Sequence, residues 1–315
     1  MSEPAAKRVL LLGWDGADWK VIEPLLEAGQ MPNLESLVNR GVMGNLATLR
    51  PILSPMLWTS VATGKRADQH GIHGFIEPRP DGGGIRPVTS TSVQARPLWQ
   101  ILTEHERDSA VVGWFATYPA NPATGIVVSD MYSNPRGRSF EDWPLPEQVV
   151  APESLAPNFA ELRVHPREIT PQQVLPFIPK AAEIDQELDP ERLDAVIRFL
   201  ARCATIHGAG TFIAETQPWD LLAVYYETID RLCHWFMEYR APQMAHVSDS
   251  DFEIYQDVVD GAYRFHDMML GRYMELVGPE TTIVICSDHG FFSDHLRPSV
   301  SADMRTGDPV AWHRE

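Results

Sequence analysis

The sequence predicts an α/β fold with a doubly wound, mostly parallel sheet and helices on both of its faces. Short apolar runs suited to buried parallel strands alternate with amphipathic stretches whose apolar residues recur every three or four positions. One proline-dense stretch interrupts this alternation. The chain has 315 residues, of which 44% are hydrophobic and 22% charged, so it can enclose a large core.

The predicted strands are continuous apolar runs of about seven residues. The first is RVLLLGW at 8–14, and the others cover 111–117, 125–131, 221–227 and 281–287. Runs without alternating polar residues are typical of strands that are buried on both faces. We therefore expect these strands to form the centre of the fold.

Four amphipathic stretches predict the main helices. Two lie at about 18–28 and 32–40, the second closed by Gly41. A longer helix is predicted to begin with Asp189 as its N-cap and Pro190 as its first residue. The fourth stretch spans about 251–276 with an apolar face along its length.

Residues 138–188 differ from the rest of the chain. They hold eight prolines, which exclude a central strand or a long helix there: Pro144, Pro146, Pro152, Pro157, Pro166, Pro171, Pro176 and Pro179. We predict three parts, with residues 1–137 and 189–315 forming one core and 138–188 an insertion over the sheet edge. The insertion is either a lid near the site or a surface excursion without a catalytic part.

The charge balance excludes some partners. There are 26 basic and 43 acidic residues, which give a net charge of −17. A nucleic-acid or anionic-membrane surface requires basic patches, so neither is expected. The three scattered cysteines, Cys203, Cys233 and Cys286, do not suggest a disulfide framework, and no apolar run approaches the ~20 residues of a membrane span. We expect a cytoplasmic protein.

Three predicted strands are followed within a few residues by an aspartate. These are Asp15, Asp230 and Asp288, and ligands of open α/β sheets bind at the carboxyl ends of strands. One such aspartate is usually a loop or capping residue. Three of them indicate metal ligation, because two have a histidine nearby (His234 and His289). Zinc accepts carboxylate and imidazole ligands of this kind.

A serine at a predicted helix start is the second chemical element. In RPILSPMLWTSVATG (50–64), Ser54 is predicted as the N-cap, Pro55 as the first helical residue and Gly64 as the helix end. A Ser-Pro cap usually has no role beyond capping. The N–H groups and dipole of a helix N-terminus nevertheless favour an anion, and a metal ion can activate a serine hydroxyl as a nucleophile.

These segments occur together in an order seen in one family. They are GWDGADW at 13–19, the serine segment with TGKRADQHGIHGF at 63–75, the Asp230/His234 pair, and SDHGF at 287–291. Together they resemble the type I phosphodiesterase and nucleotide pyrophosphatase family of the alkaline phosphatase superfamily. The resemblance implies an alkaline phosphatase-like fold. It also implies metal-dependent hydrolysis of a small phosphate ester, with a phosphodiester favoured and phosphoserine as the intermediate.

The resemblance also implies roles for individual residues, with Ser54 as the nucleophile. One metal ion is assigned to Asp15, Ser54, Asp288 and His289. The second ion is assigned to Asp230, His234 and a histidine further along the chain. The two divalent ions are expected to be zinc, although manganese or iron would accept the same ligands.

The late histidine has two candidates. His313, in AWHRE, matches the family better than His295, which lies closer to SDHG. The chain stops two residues after His313, where related proteins continue through another apolar strand. We therefore expect the C-terminal part of the core to be cut short, which would weaken the second metal site.

One position departs from the family. Where the nucleotide pyrophosphatases have an asparagine that donates to a phosphate oxygen, this chain has Phe75, which puts nucleotide specificity in doubt. His73, Lys65 or a backbone N–H after Ser54 could replace this donor. His70 and His73 are expected to shape the loop below the nucleophile.

Other functions remain open at this point. Sulfatases need a Cys or Ser followed by x-Pro-x-Arg, and the residues after Ser54 do not match that motif. A phosphomonoesterase or phosphomutase would share the same metal ligands. A catalytically inactive binding module is the alternative outside enzymes.

Overall fold

The computed structural model describes residues 7–134, 143–185 and 189–291. Its strands are β1 Arg8–Trp14, β2 Ile76–Pro78, β3 Ile85–Pro87, β4 Ser109–Val112, β5 Ile126–Val128, β6 Val150–Ala151, β7 Leu221–Tyr226 and β8 Thr281–Cys286. Six of them form a sheet in the order β6-β5-β4-β7-β1-β8, and β2 pairs with β3 in a separate antiparallel ribbon. All pairings in the large sheet are parallel except β5 with β6.

Helices connect the strands. The α-helices are α1 Trp19–Glu27, α2 Pro32–Arg40, α3 Ser54–Thr63, α4 Ala67–His70, α5 Leu98–Glu104, α6 Ala156–Glu161, α7 Pro171–Val174, α8 Pro190–Thr216, α9 Thr228–Phe236, α10 Asp249–Tyr255 and α11 Val258–Val277. Short 3-10 helices cover Ser90–Ser92, Pro122–Thr124, Glu153–Leu155, Pro166–Glu168, Ala181–Glu183 and Met237–Tyr239. None of the helices in the described ranges is long and apolar enough to cross a bilayer.

Both faces of the large sheet are covered, as the apolar strand pattern predicted. Along β1, Leu10 and Leu12 point into the larger core, which α1, α8, α9 and α11 also line. Val9 and Leu11 point to the other face, where Trp58 of α3 belongs to the second core. The side chains of β7 alternate in the same way. The doubly wound, mostly parallel α/β fold is therefore confirmed.

Strand β4 differs from its prediction. The strand predicted at 111–117 starts earlier, at Ser109, and ends at Val112, so residues 113–117 of the prediction are wrong. Gly113 has a φ of 71° and Ala116 a φ of 55°, which turn the chain out of the sheet. The Asp130 carboxylate accepts hydrogen bonds from the backbone N–H groups of Ala116 and Tyr118 and holds this loop.

The helix predicted at 251–276 is also wrong as a single element, because α10 and α11 are separate. Tyr255, at the end of α10, packs against the ring of Phe236 and donates its hydroxyl to Asp189. Asp189 stands at the N-cap of α8, as predicted. Its side chain makes no capping hydrogen bond there, because the carboxylate accepts from the tyrosine.

The proline-rich part lies at one edge of the sheet. Residues 143–185 contain β6, which pairs antiparallel with β5, and only short helices. The boundaries of the three parts of the chain, and a lid role for this one, stay predictions.

The cysteines have no disulfide partners: Cys203 and Cys233 are buried and Cys286 is half-buried. Burial raises the pKa of the Cys203 thiol to about 12, which makes it unreactive.

Candidate active site

The site lies at the carboxyl ends of the three adjacent strands β7, β1 and β8. Asp15 directly follows β1, and its N–H donates to the Tyr226 carbonyl at 3.0 Å. In turn, the N–H of Asp230 donates to the Asp15 carbonyl at 3.0 Å. Asp288 follows β8, and one of its oxygens accepts from the N–H of Gly16 at 3.4 Å. The order of the strands thus brings together the three aspartates that the sequence singled out.

Two histidines complete this acidic cluster. His289 Nε2 lies 3.5 Å from Asp15 Oδ1, 3.8 Å from Asp230 Oδ1 and 3.6 Å from Asp288 Oδ2. His234, one turn after Asp230 on α9, has its Nε2 at 3.4 Å from Asp230 Oδ1. The ligand atoms of Asp15, Asp230 and His289 lie within 4.8 Å of one another. Asp230 therefore stands between the two predicted groups of metal ligands.

Ser54 points its hydroxyl at this cluster. Its Oγ donates to Asp15 Oδ1 at 3.5 Å. The prediction that Ser54 is the N-cap is wrong by one residue: Leu53 is the N-cap, and Ser54 is the first residue of α3. Gly64 ends the helix in the left-handed conformation, with a φ of 65°, as predicted. The first turn of α3 leaves the N–H groups of Ser54 and Met56 outside the helical hydrogen-bond ladder, where they can face an anion.

The donor set fits divalent cations. Asp288 Oδ2 is buried and accepts no hydrogen bond within the described ranges. His289 Nδ1 donates to the Gly290 carbonyl at 3.0 Å, so Nε2 carries the lone pair that faces the carboxylates. Burial and the neighbouring carboxylates raise the pKa values of Asp15 and Asp288 above the usual range. A bound cation would remove this electrostatic cost and satisfy the free oxygen.

Tyr225 is a site residue that the sequence reasoning missed. It lies near the end of β7, and its hydroxyl donates to Asp15 Oδ2. Burial raises its pKa well above the usual value, so it remains a donor. The motif order gave no reason to choose this tyrosine. The available signal was the alternation of side chains along a strand: Tyr225 and Tyr226 point to opposite faces of β7, which lies beside β1.

His70 supports helix α3 from below. Its Nδ1 accepts from the N–H of Ile72 at 3.1 Å, and Nε2 lies 3.0 Å from the hydroxyl of Ser60 on α3. With Nδ1 as acceptor, Nε2 must carry the proton and donate to Ser60. Burial lowers the pKa of His70, which keeps it neutral. The predicted loop-shaping role fits His70, whereas His73 is exposed.

The structure narrows the candidates for the donor that replaces the family asparagine. Phe75 is 49% exposed, and its ring lies 6.2 Å from that of Phe115. Lys65 follows the far end of α3, about 15 Å along the helix axis from Ser54, so it is a poor candidate. The backbone N–H groups of the first turn of α3 are the best placed.

His313, predicted to bind the second ion, and His295 lie outside the described residues.

A carboxylate and histidine cluster thus lies at the carboxyl edge of a parallel sheet and is faced by a helix-terminal serine. The chain belongs to the type I phosphodiesterase / nucleotide pyrophosphatase family, whose model matches residues 9–294. The family resemblance predicted from the motifs is thus confirmed. No curated protein gives a significant match to the sequence.

Solved structures confirm the fold. Phosphonoacetate hydrolase from Sinorhizobium meliloti 1021, in complex with phosphonoacetate, is similar with a TM-score of 0.52 and 16% identity. That match covers 91% of this chain and 57% of the hydrolase chain. Murine ectonucleotide pyrophosphatase / phosphodiesterase 5 is similar with a TM-score of 0.50 and 16% identity, over 96% of this chain and 62% of the murine chain. This chain therefore spans less than two thirds of the length of either protein.

Proposed function

We propose that the protein is a metal-dependent hydrolase of phosphate esters that acts as a phosphodiesterase through a phosphoserine intermediate. One observation carries the proposal: the Ser54 hydroxyl is hydrogen-bonded to Asp15 inside a cluster of three carboxylates and two imidazoles. Family membership supports the same chemistry. A small-molecule ester is the proposed substrate, because the acidic chain offers no general surface for nucleic acid.

Two ions account for the whole ligand set. Asp15, Ser54, Asp288 and His289 would hold the first ion. Asp230, His234 and His313 would hold the second. When bound, such ions supply positive charge to the phosphate oxygens and to the leaving oxygen. Zinc is the proposed metal because all ligands are carboxylate, hydroxyl or imidazole, a set that manganese or iron would also accept.

The residues of the chain perform the chemical steps. The Ser54 oxygen attacks phosphorus while its proton passes to Asp15 Oδ1, the acceptor already in contact with it. The ester oxygen leaves with the bonding electrons, and phosphoserine forms. Water then attacks phosphorus from the side opposite Ser54 and loses one proton to solvent. The bond between phosphorus and the Ser54 oxygen breaks, Asp15 returns its proton to that oxygen, and a phosphate monoester is released. The N-terminus of α3 and its free N–H groups stabilise the negative charge on the transferred group in both steps.

The decisive experiment replaces the nucleophile. Ser54→Ala should reduce turnover of a chromogenic phosphate diester by at least about a thousandfold, because no other hydroxyl replaces the attacking oxygen. Metal content, measured by elemental analysis, should remain near that of the parent chain. Thr63→Ala removes a hydroxyl from the opposite end of α3 and should retain full activity. Equal turnover in Ser54→Ala and the parent chain would rule out Ser54 as the nucleophile.

A substrate panel decides between the related activities. Diesters, monoesters and sulfate esters of the same phenol are compared after reconstitution of this chain with zinc. A monoesterase or phosphomutase would favour the monoester. A catalytically inactive binding module would hydrolyse none of the esters and need not bind two ions per chain.

The free cysteines support a proposed location in a reducing compartment such as the cytoplasm.

A further inference from the structure

A cavity of about 170 Å³ lies beside the acidic cluster, above the carboxyl ends of β5, β4 and β7. Phe115, Tyr225 and Met131 form part of its wall, and Arg202, Glu227 and Arg231 supply its charges. Arg202 comes from α8, Glu227 follows β7, and Arg231 is in the first turn of α9. Side chains from three separate elements thus converge on one cavity.

The two arginines share a single carboxylate. Arg202 forms an ion pair with Glu227 Oε1, and Arg231 Nε donates to Glu227 Oε2 at 3.0 Å. A guanidinium has five donor hydrogens, so one carboxylate cannot satisfy both groups. Across residues 7–134, 143–185 and 189–291, the two terminal nitrogens of Arg231 have no acceptor. The terminal nitrogens of Arg231 therefore form an unused guanidinium fork.

The other acid that lines the cavity does not use this fork. The Asp130 carboxylate accepts hydrogen bonds from the N–H groups of Ala116 and Tyr118, at 3.2 Å and 2.9 Å, and lies 3.4 Å from the hydroxyl of Thr117. Its oxygens are therefore occupied by the loop after β4. The arginines join α8 to α9 through Glu227, which gives each of them one acceptor. The Arg231 side chain is 41% exposed, so its terminal nitrogens are accessible to a ligand from solvent.

The cavity and the acidic cluster share Tyr225 as a common wall. Tyr225 lines the cavity and also donates to Asp15 in the acidic cluster. Arg231 directly follows Asp230, a candidate metal ligand. The arginines therefore lie one side chain away from the cluster that Ser54 faces, which is within reach of the leaving group of a bound ester.

We propose that the cavity formed by Arg202, Glu227 and Arg231 binds a carboxylate on the leaving group of the substrate. This inference rests on the proposed function, since it defines the substrate class of the same site. Glu227 and Asp130 balance the two guanidinium charges, and the terminal nitrogens of Arg231 remain as donors that an anion can accept from. The terminal nitrogens of a guanidinium match the two oxygens of a carboxylate in a bidentate pair.

The test compares phosphate diesters that differ in one group. Esters of hydroxybenzoate and of hydroxybenzamide are hydrolysed by the zinc-loaded chain, and the ratio of their kcat/KM values is measured. We expect a preference for the carboxylate ester that falls about tenfold or more in Arg202→Gln and Arg231→Gln, the change expected from the loss of one charge-assisted hydrogen bond. Since ratios are compared between variants, the different reactivities of the two phenols cancel.

Matched variants control for folding and charge. Arg198→Gln removes an arginine one turn earlier on α8, where its partner is Asp194 on the surface, and should keep the parent ratio. Arg231→Lys keeps the charge without the fork and should lose part of the preference. Far-ultraviolet circular dichroism establishes that each variant is folded. Parent ratios in both Gln variants would overturn the proposal.

A binding measurement separates this inference from the proposed function. Isothermal titration calorimetry follows benzoate and benzamide binding to the zinc-loaded parent chain, Arg198→Gln and Arg231→Gln. We expect benzoate, but not benzamide, to bind the first two and not the third. If no ester is hydrolysed but this pattern appears, the proposed function fails while the carboxylate site stands. If benzoate binds none of the chains, or all of them equally, the carboxylate site is refuted.

Discussion

The loop after β1 offers a direct test of how the fold positions the acidic cluster. Gly16 has a φ of 71°, in the left-handed region that favours glycine. A Cβ added there would lie 3.0 Å from the Cα of Asp230, and 3.3 Å from one of its carboxylate oxygens. Gly16→Ala therefore combines backbone strain with a clash against the backbone of a candidate metal ligand.

Gly29 allows the two effects to be separated. It has a φ of 67°, but an added Cβ would meet nothing within 4 Å. Gly29→Ala should therefore lower the free energy of unfolding by about 1–2 kcal/mol from left-handed strain alone. Gly16→Ala adds the displacement of a packed neighbour, which costs about 1–3 kcal/mol more. We expect a total loss of about 2–5 kcal/mol in Gly16→Ala.

The assays are urea unfolding, followed by tryptophan fluorescence, and elemental analysis after equilibration with limiting zinc. Carboxylate–metal distances tolerate shifts of only about 0.2 Å, so a displaced Asp230 should lower zinc affinity at least about tenfold. Gly29→Ala should bind zinc like the parent chain. Equal destabilisation of the two variants, together with unchanged zinc binding in Gly16→Ala, would show that the loop does not position the cluster.

Two further predictions concern groups buried away from the site. Burial lowers the pKa values of His207 and His266 to about 4, whereas the unfolded chain takes up these protons near pH 6.5. Their stabilising contribution is complete above pH 6.5 and is lost as the pH falls towards 4. The loss is about 3 kcal/mol for each histidine. Urea unfolding of the parent chain and of His266→Phe over this pH range measures it. Asp267 of α11 accepts from the N–H groups of Asn33 and Leu34 at the start of α2, so Asp267→Asn should lower the free energy of unfolding by about 2 kcal/mol, with zinc binding unchanged.

The central strands could be predicted from sequence because burial on both faces produces continuous apolar runs. Strand β1 matches its predicted range of 8–14, and β7 and β8 each end one residue earlier than predicted. The prediction of β4 failed because the apolar residues after Val112 pack in a loop rather than in a strand. Apolar composition indicates burial, and both a strand and a buried loop are apolar. The positive φ values that turn the chain are set by contacts with Asp130, which is distant in sequence.

The site was predictable to the extent that strand order fixes it. Parallel strands place their carboxyl ends at one edge, so the aspartates after β1, β7 and β8 had to meet once these strands were neighbours. Neither Tyr225 nor the arginine cavity could be inferred in this way. Their roles depend on which of two alternating faces a side chain takes, and on how α8 and α9 approach the end of β7.

Charge sets the order in which this site can assemble. The chain carries −17 overall, and three carboxylates converge at the site, so without cations the site would repel the proposed phosphate substrate. Cations held by the cluster would reverse this local charge, whereas the guanidinium donors of Arg202 and Arg231 belong to the chain itself. On the proposed function, the leaving group would therefore find its donors before metal ions bind, but the phosphate would not. Metal loading would then control the reaction, and the two arginines would control which ester binds.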